Sequence, residues 1–218
     1  MAALLERERS GRGQLVETAL LHTALNLADT NLIEEAMLQI GRKAQGNRSW
    51  ASGPHDCFRT RDGWLFCMVV GNGLFKRWAR LMGNEKEWLE DPRFRTDQLR
   101  GDNGQVLSIR MQEWCAERTT AQALDQLNSA KIPAGPVYSL AETLQDEHIQ
   151  AAGFFEEVSY PGMSKPAPVV STPVRLSRTP GTIHRRPPLL GEHTNAVLMK
   201  IARYSEAEVA ALREKEVI

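Results

Sequence analysis

Cysteine is scarce in this sequence, charge of one sign is not in excess, and long apolar runs are missing; each shortage excludes something. Cys57, Cys67 and Cys115 are the only cysteines. They are widely spaced and form no CxxC, so neither a zinc knuckle nor a disulfide framework is indicated. Reduced thiols in a cytoplasmic protein are the expectation, with Cys57 and Cys67 on paired strands. Lys plus Arg number 27 and so do Asp plus Glu, in 218 residues. Without a basic surplus the long-range attraction to phosphate is lacking, and no nucleic-acid partner is expected. No apolar stretch approaches the ~18 residues of a membrane span, and no basic segment followed by an apolar run opens the chain. No membrane partner is expected. The common chemical signatures are absent too: no GxGxxG after a strand, no phosphate-loop motif, no GxSxG and no HExxH. No metal site is expected.

What is present is a globular composition, 42% hydrophobic, with clear punctuation. MAALLERERS followed by Gly11-Arg12-Gly13 reads as the end of a buried helix with no capping residue ahead of it. Gln14–Thr18 is β-compatible, and Ala19–Arg42 carries a helical pattern with Leu21, Leu25, Leu32, Met37 and Ile40. Ala44–Pro54, rich in Gly and Ser, reads as a loop and domain boundary that carries Trp50. Asp62-Gly63 then separates Phe58 from the run Leu65–Val70, which predicts a hairpin because glycine adopts the positive φ of a tight turn. Leu74–Met82 is amphipathic through Leu74, Phe75, Trp78 and Leu81, Asp91-Pro92 caps a short turn, and Asn103–Glu117 predicts a further helix.

Three capping boxes mark helix starts: Thr119 with Gln122, Ser139 with Glu142, and Ser205 with Glu208. Between the last two, proline density restricts the chain to edge strands near Phe154–Tyr160 and Val169–Leu176 and to an extended crossing segment. Asp29, Asp56, Asp62, Asp91, Asp97, Asp102, Asp125 and Asp146 read as solvated, turn or cap residues. His22 and His148 lie in helical segments, His193 reads as a capping or packing residue, and Arg185-Arg186 as a solvated basic pair.

Six pieces occur in a meaningful order: ALLERERSGRGQLVETALL, GNRSWASGPHDCFRTRDGWLFCMVV, DPRF, KIPAGPV, PLLGEHTNAVL and YSEAEVAALREKEVI. Together they resemble the carboxyl-terminal half of a family III CoA-transferase, a CaiB/BaiF-type protein. The resemblance implies an α/β fold in which residues 1–45 (helix, turn, strand, helix) and 172–218 belong to an incomplete Rossmann-like large domain. Residues 46–171 would supply a loop and a small α+β domain. It implies CoA transfer between an acyl-CoA thioester and a carboxylic acid, with CoA thioesters as substrates and no permanently bound cofactor.

In such enzymes an aspartate attacks the thioester and carries the acyl group, then CoA. Its match would precede Met1, so no residue here is expected to be catalytic, and Met1 would fall inside a helix of the large domain. The partner would be a second copy, giving a homodimer, or a chain carrying the amino-terminal half. The loop that closes over the reacting carboxylate corresponds to Gly46–Gly53, and Asn47, Trp50, Ser52, Gly53 and His55 are its candidate substrate-loop residues. Two other readings stay open: a non-catalytic remnant or binding module, and part of an acyl-CoA racemase, which would move an α-proton by acid and base.

Overall fold

A computed structural model describes residues 1–218. They pack as two compact units, Met1–Val137 and Tyr138–Ile218.

The first unit begins with α1 (Ala2–Ser10), stopped as expected by Gly11, which takes φ 71° and donates its N–H to the Arg7 carbonyl. The helix is not buried, however: Ala3 alone is half-buried, and Leu4 and Leu5 face solvent. Gln14–Thr18 forms no strand, because no neighbouring strand accepts its backbone groups. The long helix expected over Ala19–Arg42 divides into α2 (Leu20–Leu27) and α3 (Asp29–Leu38). At the break the Ala28 N–H is shared between the Ala24 and Leu25 carbonyls, which tightens the last turn of α2. Gln39 at φ 52° ends α3.

The hairpin forms where expected, but Gly63 does not take the positive φ expected of it; the turn is closed instead by the Thr60 N–H on the Gly63 carbonyl and the Gly63 N–H on Thr60 Oγ1. β1 (His55–Arg59) pairs antiparallel with β2 (Trp64–Met68), with Cys57 opposite Phe66 and Arg59 opposite Trp64. Cys57 and Cys67 are on these paired strands but out of register by one residue, hence on opposite faces. There follow α4 (Asn72–Met82), α5 (Glu85–Glu90), a 3-10 turn over Pro92–Phe94, α6 (Asp97–Asp102), α7 (Gly104–Ala116) and α8 (Thr120–Ser129). The Asp91 carboxylate accepts from Arg93 N, and Thr119 and Gln122 close their capping box, so both expected caps are present. β3 (Ala134–Pro136) adds to the free side of β2. A three-residue edge strand holding proline carries little sequence signal, since proline reads first as a strand breaker.

One face of this sheet, with Phe58, Leu65, Cys67 and Val69, closes a core built from Phe75, Trp78, Met82, Phe94, Leu107, Met111, Trp114 and Leu127. Burial pushes the thiols of Cys67 and Cys115 up to about 12, which leaves them protonated and inert. The opposite face is open: Trp64, Phe66, Met68 and Val137 are exposed. Asp62 reaches from the hairpin turn to accept from the Thr120 N–H (2.7 Å) and hydroxyl (2.9 Å), so the turn also holds the start of α8.

The second unit contains α9 (Leu140–Gln145), α10 (Glu147–Ala151), the antiparallel pair β4 (Phe155–Val158) and β5 (Ala167–Val170), then α11 (Thr194–Lys200) and α12 (Glu206–Glu214). The Ser139 and Ser205 capping boxes both close. β5 starts and ends earlier than expected; Pro173, lacking an N–H, stands just beyond it. Two basic and imidazole readings change. Arg185 is exposed as expected, whereas Arg186 is half-buried and forks onto Glu192 at 2.8 Å, and His193 occupies the N-cap position of α11 without making a side-chain cap. Val209 is this unit's one buried hydrophobic residue. Both sheets of the protein are antiparallel, giving a mixed α/β chain with small sheets. No helix is long and apolar enough to cross a membrane.

Candidate functional site

The segment from Gly46 to His55 leads into β1, and its conformation is set by what lies beneath it. Gly53 and Gly101 are where two backbones meet. A Cβ on Gly53 would stand 2.7 Å from the Arg100 carbonyl oxygen, and one on Gly101 would overlap the Trp50 carbonyl. Only glycine permits that approach. Arg100 is itself fixed. It is 1% exposed, donates to the Phe94 carbonyl (2.7 Å), to Asn72 Oδ1 (3.0 Å) and to Asp97 (2.6 Å), and lies over the Phe75 ring. Burial raises the Asp97 carboxyl, but Arg100 and the Gly71 N–H outweigh it and hold the group below its ordinary value.

The five candidate residues are therefore placed differently. Ser52 and Gly53 are buried, and Ser52 Oγ stands 3.2 Å from His55 Nδ1. Burial lowers the His55 pKa, with Asp56 opposing, so the imidazole is neutral at pH 7. Its ring meets Phe66 edge-on at 5.3 Å. A hydroxyl beside a neutral imidazole resembles a nucleophile and base, but Ser52 is sealed from any substrate, so the contact's work is to tie the loop to β1. Trp50 is half-buried under the Arg42 guanidinium, 5.0 Å from the ring centroid, and Arg42 also forks onto Glu34 and reaches Asp102. Asn47 stands exposed beside Gly46 at φ 73°.

Sequence reading missed Arg42, Arg48, Arg100 and Gly101. Arg48 was visible within the quoted GNRS, whereas the roles of Arg100 and Gly101 arise from contacts across some fifty residues, which no local pattern shows. A cleft of about 420 Å³ opens beside the loop, lined by Arg48, Asp56, Cys57 and one face of α7. No group of three or more His, Cys, Asp or Glu side chains is placed to hold a metal ion.

The sequence profile described as CoA-transferase family III matches residues 1–194. The chain belongs to CoA-transferase family III. Among its family III relatives is the succinyl-CoA–D-citramalate CoA-transferase of Chloroflexus aurantiacus, 30% identical over 219 residues, with 100% of this chain and 54% of the relative covered. The succinyl-CoA–L-malate CoA-transferase beta subunit of the same organism is 28% identical, with the same coverage of each chain. A crystal structure of a CaiB/BaiF family protein from Brucella suis superposes with a TM-score of 0.69 at 25% identity, covering 91% of this chain and 51% of the other. This family III chain spans about half the length of the relatives it matches.

Proposed function

We propose that this chain is the carboxyl-terminal portion of a CoA-transferase that moves CoA between an acyl-CoA thioester and a carboxylic acid, and that it works together with the amino-terminal portion. The observation that carries the reading is the family match over nearly the whole chain, joined to coverage of half of relatives named as CoA-transferases. In this reading residues 1–45 and 172–218 complete a Rossmann-like large domain, and 46–171 form the small domain. The nucleophilic aspartate comes from the amino-terminal portion, and the assembly is a cytoplasmic dimer.

Chemically, this chain's part is to shape and shield. A carboxylate that attacks a thioester forms a mixed anhydride and expels CoA thiolate; the thiolate returns to the carboxylate's own carbonyl, releasing the donor acid and leaving an enzyme-bound CoA thioester on which the incoming acid reacts, and these acyl intermediates must be kept from water. The segment Gly46–His55, with Asn47 and Trp50 at its surface and Ser52, Gly53 and His55 anchoring it, is proposed as the wall over that step. Its interlock with Arg100 and Gly101 supports a rigid wall. The exposed apolar side chains of α1–α3 support a partner that covers them.

The test is reconstitution. The chain is assayed for CoA exchange between succinyl-CoA and a panel of acids, alone and with a polypeptide carrying the relatives' amino-terminal half. Activity that requires both supports the proposal. A folded complex without transfer but with exchange of an α-proton of an acyl-CoA would favour the racemase, and failure of the two to associate would leave a binding module.

A further inference from the structure

Trp50 is held in two different ways. Its backbone is fixed by close packing: a Cβ on Gly101 would overlap the Trp50 carbonyl, which also lies 3.5 Å from Gln98 Nε2. Its indole lies under the Arg42 guanidinium, 5.0 Å from the ring centroid, and is only half-buried. A stacked cation sets where an aromatic ring rests without locking it as a packed core would. The pose of the ring therefore depends on what holds Arg42.

Two carboxylates from two helices hold it. Arg42 forks onto Glu34 of α3, with Nη2 to Oε1 at 2.8 Å, while Nη1 reaches Oδ1 of Asp102, the last residue of α6, at 3.5 Å. Asp102 is in turn fixed to Gln98 at 2.9 Å. Only 14% of the Arg42 side chain is exposed, so its partly desolvated charge has to stay with a carboxylate. The grips are unequal, a bidentate fork against one long contact, so Arg42 follows Glu34.

Glu34 is the one residue of α3 that is not fully exposed. The helix buries no side chain, and Leu32, Ile33, Met37 and Leu38 stand in solvent. No apolar contact fixes α3 to the core, so its placement depends on whatever covers those side chains. One guanidinium thus joins an uncovered helix to the only indole of the Gly46–His55 segment.

We propose that Arg42 is a positioning residue that ties the pose of Trp50 to the pose of α3, so that a polypeptide seated on the apolar sides of α1–α3 sets the wall of the site. This deepens, and rests on, the CoA-transferase reading, since it makes shielding of the acyl intermediates depend on assembly.

The chain is labelled with a fluorinated tryptophan, and W50F identifies the Trp50 signal in the fluorine NMR spectrum. R42M, which keeps the bulk and removes the charge, is expected to shift that signal and leave the other four indoles in place. R42K, which keeps a cation, is expected to recover part of the wild-type position. E34A decides the matter, because Glu34 acts on the ring through Arg42: it is expected to move the Trp50 signal as well. A retained cooperative melt shows that each variant is folded. A Trp50 signal unmoved by R42M, or moved by R42M and not by E34A, overturns the proposal. Unlabelled polypeptide carrying the relatives' amino-terminal half should then shift Trp50 in the wild type, and no longer in R42M that still binds it; an equal shift in both overturns the coupling. In the reconstituted complex, R42M is expected to raise hydrolysis of succinyl-CoA relative to transfer by about tenfold, within what misplacing a positioned group costs, with partial recovery in R42K. Transfer with an unaltered partition in R42M would sink the role of Arg42 while the transferase reading stands. An Arg42-dependent response of Trp50 in a complex that transfers no CoA would do the reverse.

Discussion

Two stretches of the first unit have similar apolar content and opposite fates. Between Phe58 and Ile132 lie sixteen of the seventeen buried hydrophobic residues of the protein, whereas α1, α2 and α3 bury none. Leu20, Leu21, Leu27, Met37 and Leu38 are as apolar as Leu65 or Leu107, yet they face solvent. The difference lies in convergence. The hairpin, α4, α7 and α8 bring their apolar sides to one place, while α1–α3 have none of this chain's core to meet. What joins α3 to the packed region is polar: Arg42, forked on Glu34 and stacked over Trp50. Such links at a surface contribute about 1 kcal/mol or less, against about 1.5–3 kcal/mol for burying one large apolar side chain.

That contrast can be broken most severely inside the core. Trp78→Ala, which empties a fully buried site, is expected to cost about 3–5 kcal/mol in urea unfolding. Asp97→Asn leaves Arg100 buried beside a neutral amide. About 2–3 kcal/mol is expected, less than for a fully buried pair because a third of the Asp97 side chain is exposed. Gly101→Ala forces a Cβ into the Trp50 carbonyl; a loss of about 1–3 kcal/mol is expected, with faster amide exchange confined to residues 50–55.

The Asp62 carboxylate is held below its ordinary value by the Thr120 N–H, then by the Thr120 hydroxyl. Its stabilisation is therefore complete above the unfolded value near 3.8 and is lost as pH falls through the lower folded value. Between about pH 4 and 2, wild-type protein should lose more stability than Asp62→Asn, measured as the change in urea midpoint. The smallest effect belongs to the other side of the comparison: Leu21→Ala in α2 should stay within about 0.5 kcal/mol. In the reconstituted complex the same substitution should become costly, and an unchanged cost there would mean that nothing covers α2.

What could be read in the sequence follows the same division. The hairpin, α4, α7 and the three capping boxes were legible because each rests on neighbours within a few residues: Asp62-Gly63, the alternation through Leu65 and Cys67, and Thr119 with Gln122. β3 was not, since Ala134-Gly135-Pro136 becomes a strand only when Leu65 and Phe66 present it with a partner. The Leu65–Val70 run predicts a strand but gives no sign that only its alternate residues find cover. At the candidate site the loop was visible from its glycines and serines, and Asn47, Trp50, Ser52, Gly53 and His55 were picked from it. The lock on that loop was invisible, because Arg100 and Gly101 act through a backbone carbonyl fifty residues away.

The open sheet face has a practical use. Trp64 is 46% exposed there, whereas Trp78 and Trp114 are buried and Trp50 and Trp88 half-buried. Of the five indoles it alone stands substantially in water, so it contributes the red edge of the emission spectrum and the fraction most readily quenched by acrylamide. Anything that settles on that face, whether another polypeptide or a second copy, will announce itself as a blue shift and loss of quenching. The fold thus carries its own optical gauge of assembly, with Trp64→Phe as the blank.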